Sequence, residues 1–257
     1  MTRCAGPSLF AGIASFLSAA TGGRFRLIIG YETAEGMERA REGAAIVEGA
    51  GGHGLVMPRA LPAPLTAFSV RMVMADGAVY VTGDSRALVY LGGRAVDRSS
   101  EGAPASASAL ALIDEAAAAN GDESSIVRAC GGWESVGEGM VGAYVDRAAA
   151  RITAVAGGAP APRSVSCADP SGILPLLLDR VGVRRVEEGD VRLVVSSDGR
   201  SLTASMPDGK VRAALAEALS SNPALPQGPG LYCVDPAFVL DADGLCAGAL
   251  LAKSLPR

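Results

Sequence analysis

Residues 74–86 read Met74-Ala-Asp-Gly-Ala-Val-Tyr-Val-Thr-Gly-Asp-Ser-Arg86, and this stretch decides how the rest of the chain is interpreted. Asp76-Gly77 predicts a turn, and the apolar run at 78–81 predicts a short buried strand. Small and polar residues follow directly, from Thr82 to Arg86. An apolar strand that ends in a polar loop is typical of the carboxyl edge of an α/β sheet, where ligands bind. The sequence therefore predicts a ligand-facing loop at 82–87.

The segments around this stretch alternate between apolar strands and amphipathic helices. A first helix with Ser8 as its N-cap is predicted, and Gly22-Gly23 ends it. The further elements predicted in the first half are strands at 25–29, 55–57 and 88–94 and helices at 36–49, 65–73 and 107–119. This alternation is the βαβ signature of a largely parallel sheet. We therefore expect an α/β domain over residues 1–145.

A second βαβ unit is predicted after a linker of small residues at 154–162. Its predicted elements are strands at 164–168, 191–195 and 202–205 and helices at 173–181 and 210–219. Pro223, Pro226 and Pro229 mark another linker. These features predict a second α/β domain over 146–222, followed by a C-terminal segment at 223–257.

The composition limits which functions are open. The 257 residues are 49% hydrophobic and 19% charged, and the formal net charge is −4. An acidic chain without a dense basic cluster argues against nucleic acid as a partner. The apolar run at 9–17 is shorter than the roughly 18 residues of a membrane span, so no membrane association is expected. Arg3 and this run imitate a secretory signal, but a helix that leads directly into a strand favours a cytoplasmic protein.

The cysteines and the single histidine exclude further classes of chemistry. Five cysteines without CxxC spacing do not support a zinc or redox motif and indicate reduced, buried thiols. His53 lies in Gly51-Gly52-His53-Gly54, which predicts a turn. Nucleophilic mechanisms that pair a histidine with serine or cysteine depend on this one residue and are therefore disfavoured.

The stretch at 74–86 resembles the active-site segment of the α-D-phosphohexomutases, the phosphoglucomutase/phosphomannomutase family. That family carries Gly-Ala-Asp-Gly-Gly, an apolar strand and then Thr-Ala-Ser-His-Asn-Pro, whose serine holds the transferred phosphoryl group. Here Asp84 stands at the serine position, and Ser85 and Arg86 replace the histidine and asparagine. The resemblance implies that Asp84, Ser85 and Arg86 are the catalytic positions and that Thr82 and Arg200 are substrate-binding positions. Thr82 also suits a structural role, bonding to the loop backbone.

The resemblance extends along most of the chain. Pro62-Ala63-Pro64 matches the family's Pro-Thr-Pro, and Asp169-Pro-Ser-Gly172 is similar to its Asp-x-x-x-Gly. Asp241-Ala-Asp-Gly-Leu245 is similar to the Gly-Asp-Gly-Leu of its third domain. The resemblance implies an α/β fold of two phosphohexomutase-type α/β/α domains with mainly parallel mixed sheets, and a remnant of a third domain at 223–257. The family's fourth domain has no counterpart, so a truncated and degenerate member is expected.

The loop at 196–201 falls where the family has its metal loop, Asp-Gly-Asp-x-Asp-Arg. Ser196, Asp198 and Arg200 stand at the three aspartate positions, so one carboxylate is retained and one has become a cation. At about 4 Å and an effective dielectric constant near 20, a pair of unit charges interacts by about 4 kcal/mol. An arginine would therefore oppose Mg²⁺, which prefers carboxylate oxygens. We expect no cofactor, and Mg²⁺ only if residual activity remains.

Two hypotheses for function follow from the resemblance. The first is a non-catalytic protein, or pseudoenzyme, with a binding or regulatory role towards a hexose phosphate. The alternative is residual phosphohexomutase activity in carbohydrate metabolism, with Ser85 as a displaced nucleophile. A homo-oligomer or a partner mutase chain could complete the site in either case.

The charged residues of the two loops leave a further choice open. If the domains meet as in the family, Asp84, Asp198 and Arg200 form a salt-bridged cluster in place of phosphoserine and metal. Otherwise Arg200 points into solvent and each acid caps its own turn.

Overall fold

A computed structural model describes residues 3–156, 164–205 and 231–254. The chain divides into two compact units, residues 1–140 and 141–257. No helix in the described ranges is both long enough and apolar enough to cross a lipid bilayer.

The first unit contains one mixed sheet with helices on both faces. The elements are β1 (Arg3–Cys4), α1 (Pro7–Thr21), β2 (Arg26–Tyr31), α2 (Ala34–Gly49), β3 (His53–Val56), α3 (Ala63–Met72), β4 (Gly77–Val81), β5 (Arg86–Leu91), β6 (Ala103–Pro104), α4 (Ala107–Ala119) and β7 (Glu134–Ser135). The strands are ordered β1-β5-β4-β2-β3-β7, and β6 pairs with β5. The pairs β2–β3, β2–β4 and β3–β7 are parallel, whereas β5 runs antiparallel to its neighbours.

The alternation of side chains along the strands assigns each helix to a face. Gly77 of β4 lies beside Leu17 of α1, and Gly54 of β3 lies beside Ala44 of α2. Both glycines are paired with Leu27 of β2, so α1 and α2 cover the same face. Gly30 is three positions after Leu27 and faces Thr66 of α3. Because successive side chains of a strand point to opposite faces, α3 covers the other face.

The second unit contains a three-stranded sheet. Its elements are α5 (Gly139–Ala156), β8 (Val165–Ala168), α6 (Ile173–Arg180), β9 (Val191–Val195), β10 (Leu202–Ser205) and α7 (Gly244–Ser254). The strands are ordered β10-β9-β8, with the β8–β9 pair parallel and the β9–β10 pair antiparallel.

The C-terminal helix α7 belongs to the core of the second unit. It packs against α6, β9 and β10, and nine consecutive residues of it, 244–252, are buried. The predicted domain limits at 145 and 222, and the assignment of 223–257 to a third domain, stay predictions. The predicted helix at 210–219 and the prolines of the second linker lie outside the described residues.

The mixed α/β architecture confirms the predicted fold class, and several element limits differ from those predicted. The first helix begins at Pro7 with Gly6 as its N-cap, so the Ser8 cap was wrong. Proline at the first helical turn is favourable because its fixed φ matches the helix. For the same reason α3 begins at Ala63, before Pro64, and not at 65. The strand predicted at 88–94 is displaced to Arg86–Leu91, because Cys4 of β1 pairs with Arg86.

The expectation of reduced, buried thiols is confirmed in part, and the turn expected at His53 was wrong. All five cysteines are free, but Cys4 and Cys130 are exposed and Cys167 is half-buried, whereas Cys233 and Cys246 are buried. His53 is the first residue of β3 and not a turn residue. Its Nδ1 lies 3.0 Å from Glu48 Oε1, so its ring is held by a carboxylate and not by a nucleophile.

Candidate functional site

The predicted active-site loop is the turn of the β4–β5 hairpin. It comprises residues 82–85, because Arg86 and Ala87 already belong to β5. The Ser85 amide donates to the Thr82 carbonyl at 2.9 Å, and the Thr82 amide donates to the Arg86 carbonyl at 2.8 Å. Ser85 has a φ of 62°. This left-handed conformation is uncommon for a residue with a side chain and marks a tight, specified turn.

Asp84 is held by its own turn. The Thr82 hydroxyl donates to Asp84 Oδ1 at 2.5 Å and accepts the Arg86 amide at 3.0 Å. Arg86 Nε lies 3.2 Å from Asp84 Oδ2. The hydrogen bond from Thr82 is the main reason that the pKa of Asp84 is lowered, and the charge of Arg86 acts in the same direction. The turn therefore carries a stable carboxylate at Asp84.

A second acid, Glu32, joins this turn from the neighbouring strand. Glu32 follows β2, whose carboxyl end lies beside that of β4 through the Tyr31–Val81 pair. The Gly83 amide donates to Glu32 Oε2 at 2.7 Å. The chain leaves β2 towards β3 on one side and leaves β4 towards β5 on the other. A crevice between strands whose connections diverge in this way is the usual ligand position in open α/β sheets.

The predicted metal loop in the second unit is built like the first turn. It links β9 to β10, and the Ser196 hydroxyl donates to Asp198 Oδ1 at 2.5 Å. Ser196 Oγ also accepts the Ser201 amide at 3.0 Å, and Asp198 Oδ1 accepts the Arg200 amide at 3.0 Å. Gly199 has a φ of 77°, the left-handed position that Ser85 occupies in the other turn. Both loops thus place a hydroxyl, an acid and an arginine at positions i, i+2 and i+4.

Arg200 is bound inside the second unit and does not simply point into solvent. Its Nη2 and Nε donate to Asp241 Oδ1 and Oδ2 at 2.8 and 3.1 Å. The Asp241 side chain is 2% exposed, and the Arg200 side chain is 24% exposed. A bidentate pair of this kind fixes the guanidinium firmly. The predicted cluster of Arg200 with Asp84 and Asp198 stays a prediction.

The oxygen donors of the predicted metal loop bear on whether it could hold a cation. Within the ranges that the structure describes, no group of three or more histidine, cysteine, aspartate or glutamate side chains could hold a metal ion. Asp198 is engaged by a hydroxyl and an amide, and Ser196 by its neighbours in the turn. Two oxygen donors and an adjacent guanidinium do not resemble the near-octahedral oxygen set that Mg²⁺ requires.

Sequence reasoning did not identify the roles of Glu32, Asp241 and Asp243. Asp243 is buried, and its carboxylate accepts the Tyr144 hydroxyl at 2.8 Å and the Cys246 amide at 2.9 Å. Burial raises the pKa of Asp243 to about 6. The Asp-x-Asp-Gly pattern before a helical run signals the N-cap formed by Asp243. No local signal indicates the bond between Arg200 and Asp241, which are 41 residues apart.

No protein-family model and no curated protein matches this sequence. Solved structures do match the fold. A protein of Thermus thermophilus described as a phosphomannomutase is 16% identical with a TM-score of 0.71, covering 99% of this chain and 76% of that one. A phosphoglucomutase/phosphomannomutase family protein from Burkholderia thailandensis is 14% identical with a TM-score of 0.66, covering 96% and 72%.

A third match is the open form of parafusin, the phosphoglucomutase-type phosphoprotein of Paramecium. It is 8% identical with a TM-score of 0.61 and covers 98% of this chain and 68% of that one. Identities this low reveal shared architecture and not shared chemistry. The protein therefore has a phosphohexomutase-like fold.

Proposed function

We propose that this protein binds hexose phosphates at the former mutase site without transferring phosphoryl groups. The observation that carries the proposal is Asp84, which stands at the phosphoserine position and is bonded to Thr82 and Arg86. An aspartate offers no hydroxyl on which a phosphoserine can form. The fixed negative charge of Asp84 imitates part of the charge of a phosphoserine, and its carboxylate already has hydrogen-bond and ion-pair partners within the turn.

The second loop supports the same proposal. Phosphoryl transfer relies mainly on positioning and on neutralising charge, usually with a divalent metal. Arg200 lies in the loop that resembles the family's metal loop, and it is bound to Asp241 from the segment before α7. A guanidinium that is bound to a buried carboxylate supplies a permanent positive charge but no coordination site.

Retained binding is supported by the position of the first loop. Loops after β2 and β4 meet at the carboxyl edge of the sheet, and the Arg86 side chain is 58% exposed there. A planar guanidinium is well suited to phosphate esters because it can donate two parallel hydrogen bonds. A hexose phosphate is therefore the ligand class that we propose for this edge.

The proposal is tested by assays of turnover and of binding on the full chain. With Mg²⁺ and glucose 1,6-bisphosphate present, we expect no interconversion of glucose 1-phosphate and glucose 6-phosphate above the blank. Calorimetry without Mg²⁺ is expected to show saturable binding of glucose 6-phosphate, weakened about tenfold in Arg86→Ala by loss of a charge-assisted hydrogen bond. Arg39→Ala removes an exposed arginine on α2 and serves as the control. Measurable turnover, or equal binding by both variants, would refute the proposal.

One observation favours the alternative of residual activity. The Ser85 hydroxyl makes no hydrogen bond within the described part of the chain, and its backbone is held in the left-handed conformation. A nucleophile displaced by one residue would be presented in this way. Under this alternative, incubation with glucose 1,6-bisphosphate and Mg²⁺ adds one phosphoryl group to the intact mass. Turnover that is abolished by Ser85→Ala or Asp84→Ala would support it.

A further inference from the structure

A cavity lies in the first unit at the edge of the sheet opposite the β4–β5 turn. Its volume is about 830 Å³. Arg26 and His53, the first residues of β2 and β3, line it, as does Asp76, which directly precedes β4. Because these three strands are parallel, the cavity lies at their amino ends. It is therefore separate from the site proposed above.

The lining of this amino-edge cavity is strongly basic. Five arginines face two carboxylates, those of Asp76 and Glu101, in a chain whose net charge is −4. Converging positive charge in a concave site raises the local concentration of anions. The five arginines are Arg24, Arg26, Arg71, Arg94 and Arg98.

Backbone carbonyl groups orient three of these arginines. Arg26 Nη1 donates to the Val73 carbonyl at 3.3 Å, and Arg71 Nε donates to the Glu101 carbonyl at 2.7 Å. Arg94 Nη1 donates to the Thr21 carbonyl at 3.0 Å. A carbonyl group fixes a guanidinium without cancelling its charge. The cavity is thus partly organised for a ligand before one arrives, which lowers the cost of binding.

Asp76 both organises this site and neutralises one of its arginines, because its Oδ1 lies 3.4 Å from Arg94 Nε. Its buried carboxylate accepts the Arg26 amide at 3.0 Å and the Arg94 amide at 3.1 Å. Gly93 lies directly above it with a φ of 52°, and a Cβ there would come within 2.6 Å of Asp76 Oδ1. The acid therefore ties the start of β2 to the loop that carries Arg94.

The two remaining arginines also line the cavity. Arg24 and Arg98 are exposed, and neither side chain forms a hydrogen bond or ion pair within the described part of the chain. Met74, another lining residue, is 76% exposed. This arrangement combines unneutralised positive charge with a small apolar surface.

We propose that the amino-edge cavity binds a small molecule that carries two or more phosphate groups. A single phosphate is satisfied by one or two guanidinium groups, whereas five line this cavity. The volume lies within the range of about 300–1,000 Å³ that is typical of small-molecule sites. The acidic charge of the whole chain argues against a nucleic acid as the occupant.

Calorimetric titration of the full chain with pyrophosphate, at fixed ionic strength, tests the proposal. We expect saturable binding that is about tenfold tighter than that of orthophosphate, because a second phosphate reaches further arginines. The double variant Arg24→Ala/Arg98→Ala should weaken pyrophosphate binding at least about tenfold. Both side chains are exposed, so the variant is expected to fold, which circular dichroism verifies.

A control variant locates the binding. Arg39→Ala, on α2 and outside the cavity, should bind pyrophosphate like the unaltered protein. The absence of saturation up to about 10 mM pyrophosphate would overturn the proposal. So would an equal loss in Arg39→Ala, or a DNA oligonucleotide that binds more tightly than pyrophosphate.

Discussion

At the scale of single residues, Asp243 shows how burial alters an acid. Its carboxylate accepts the Tyr144 hydroxyl and the Cys246 amide, but no cation is paired with it in the described part of the second unit. Burial raises its pKa from the ordinary 3.8 to about 6, and nearby Asp241 acts in the same direction. Burial and the charge of Asp243 likewise raise the pKa of Tyr144, which stays protonated and donates.

This shift predicts that stability depends on pH. The folded pKa of Asp243 lies above the unfolded value, so between about pH 4 and pH 6 the folded state binds the extra proton, and stability falls as the pH rises. The full effect is about 3 kcal/mol. Urea unfolding of Asp243→Asn should lack this decline, whereas Glu187→Gln, at an exposed position, should retain it. Parallel pH profiles of Asp243→Asn and the unaltered protein would contradict the assignment.

The Arg200–Asp241 pair gives a second prediction for a single residue. Arg200→Ala leaves a carboxylate that is 2% exposed without its guanidinium, and removing one partner of a buried pair costs about 3–5 kcal/mol. Adding Asp241→Asn to this variant should restore part of the stability. Arg192→Ala, at an exposed position of β9, should change it by less than about 0.5 kcal/mol. If Arg200→Ala and Arg192→Ala have equal free energies of unfolding in urea, the Arg200–Asp241 pair contributes nothing to stability.

At the scale of elements, the fit of helix α3 against β2 depends on Gly30. Thr66 of α3 is fully buried, and its hydroxyl has no hydrogen-bond partner among the described residues. A Cβ on Gly30 would overlap Thr66 Oγ1 and lie 3.1 Å from Thr66 Cβ. The small residue therefore allows the helix to approach the strand closely.

Gly30→Ala should destabilise the protein by about 1–3 kcal/mol through this overlap. Thr66→Ala removes the clashing hydroxyl, so the double variant should lose at least about 0.5 kcal/mol less than the sum of the single changes. Gly142→Ala, in α5 with open space around it, should stabilise by up to about 1 kcal/mol and controls for the alanine itself. If the losses of unfolding free energy in Gly30→Ala and Thr66→Ala simply add in the double variant, α3 and β2 accommodate the added methyl group without a clash.

At the scale of the whole molecule, the chain holds two separate cores. Phe10, Ile28 and Tyr80 are buried in the first unit, and Leu177 and Leu193 are buried in the second. A unit with its own core can in principle fold alone. The first unit also contains Trp133, the single tryptophan of the chain.

A fragment of residues 1–140 should therefore fold by itself. Because the fragment retains the complete first sheet, we expect its unfolding in urea to be one cooperative transition. The transition is monitored by the fluorescence of Trp133 and by circular dichroism. In the full chain, the pH dependence of stability caused by Asp243 should be stronger when unfolding is monitored by circular dichroism than by Trp133 fluorescence. Asp243 belongs to the second unit, whereas Trp133 reports on the first. A gradual, non-cooperative transition of the fragment would mean that the first unit requires the second.

The sequence by itself determined most of the regular elements and the fold class. The helix Ala107–Ala119 and the strands Val191–Val195 and Leu202–Ser205 have the predicted limits. In Val191–Val195 the alternation of apolar residues records which face is buried. The loop at 82–87 was located from polar residues that follow an apolar strand, and the loop at 196–201 from the family resemblance. Element ends were less accurate, as at Ser8, because capping and strand pairing depend on residues outside the element.

Only the tertiary structure decided which charges meet. Arg200 binds Asp241 and Gly83 donates to Glu32, pairs that are 41 and 51 residues apart. The arginines of the amino-edge cavity come from segments that the order of strands brings together. Ion pairs and cavities arise from contacts between distant segments, and hydrophobic periodicity, which is local, carries no information about those contacts.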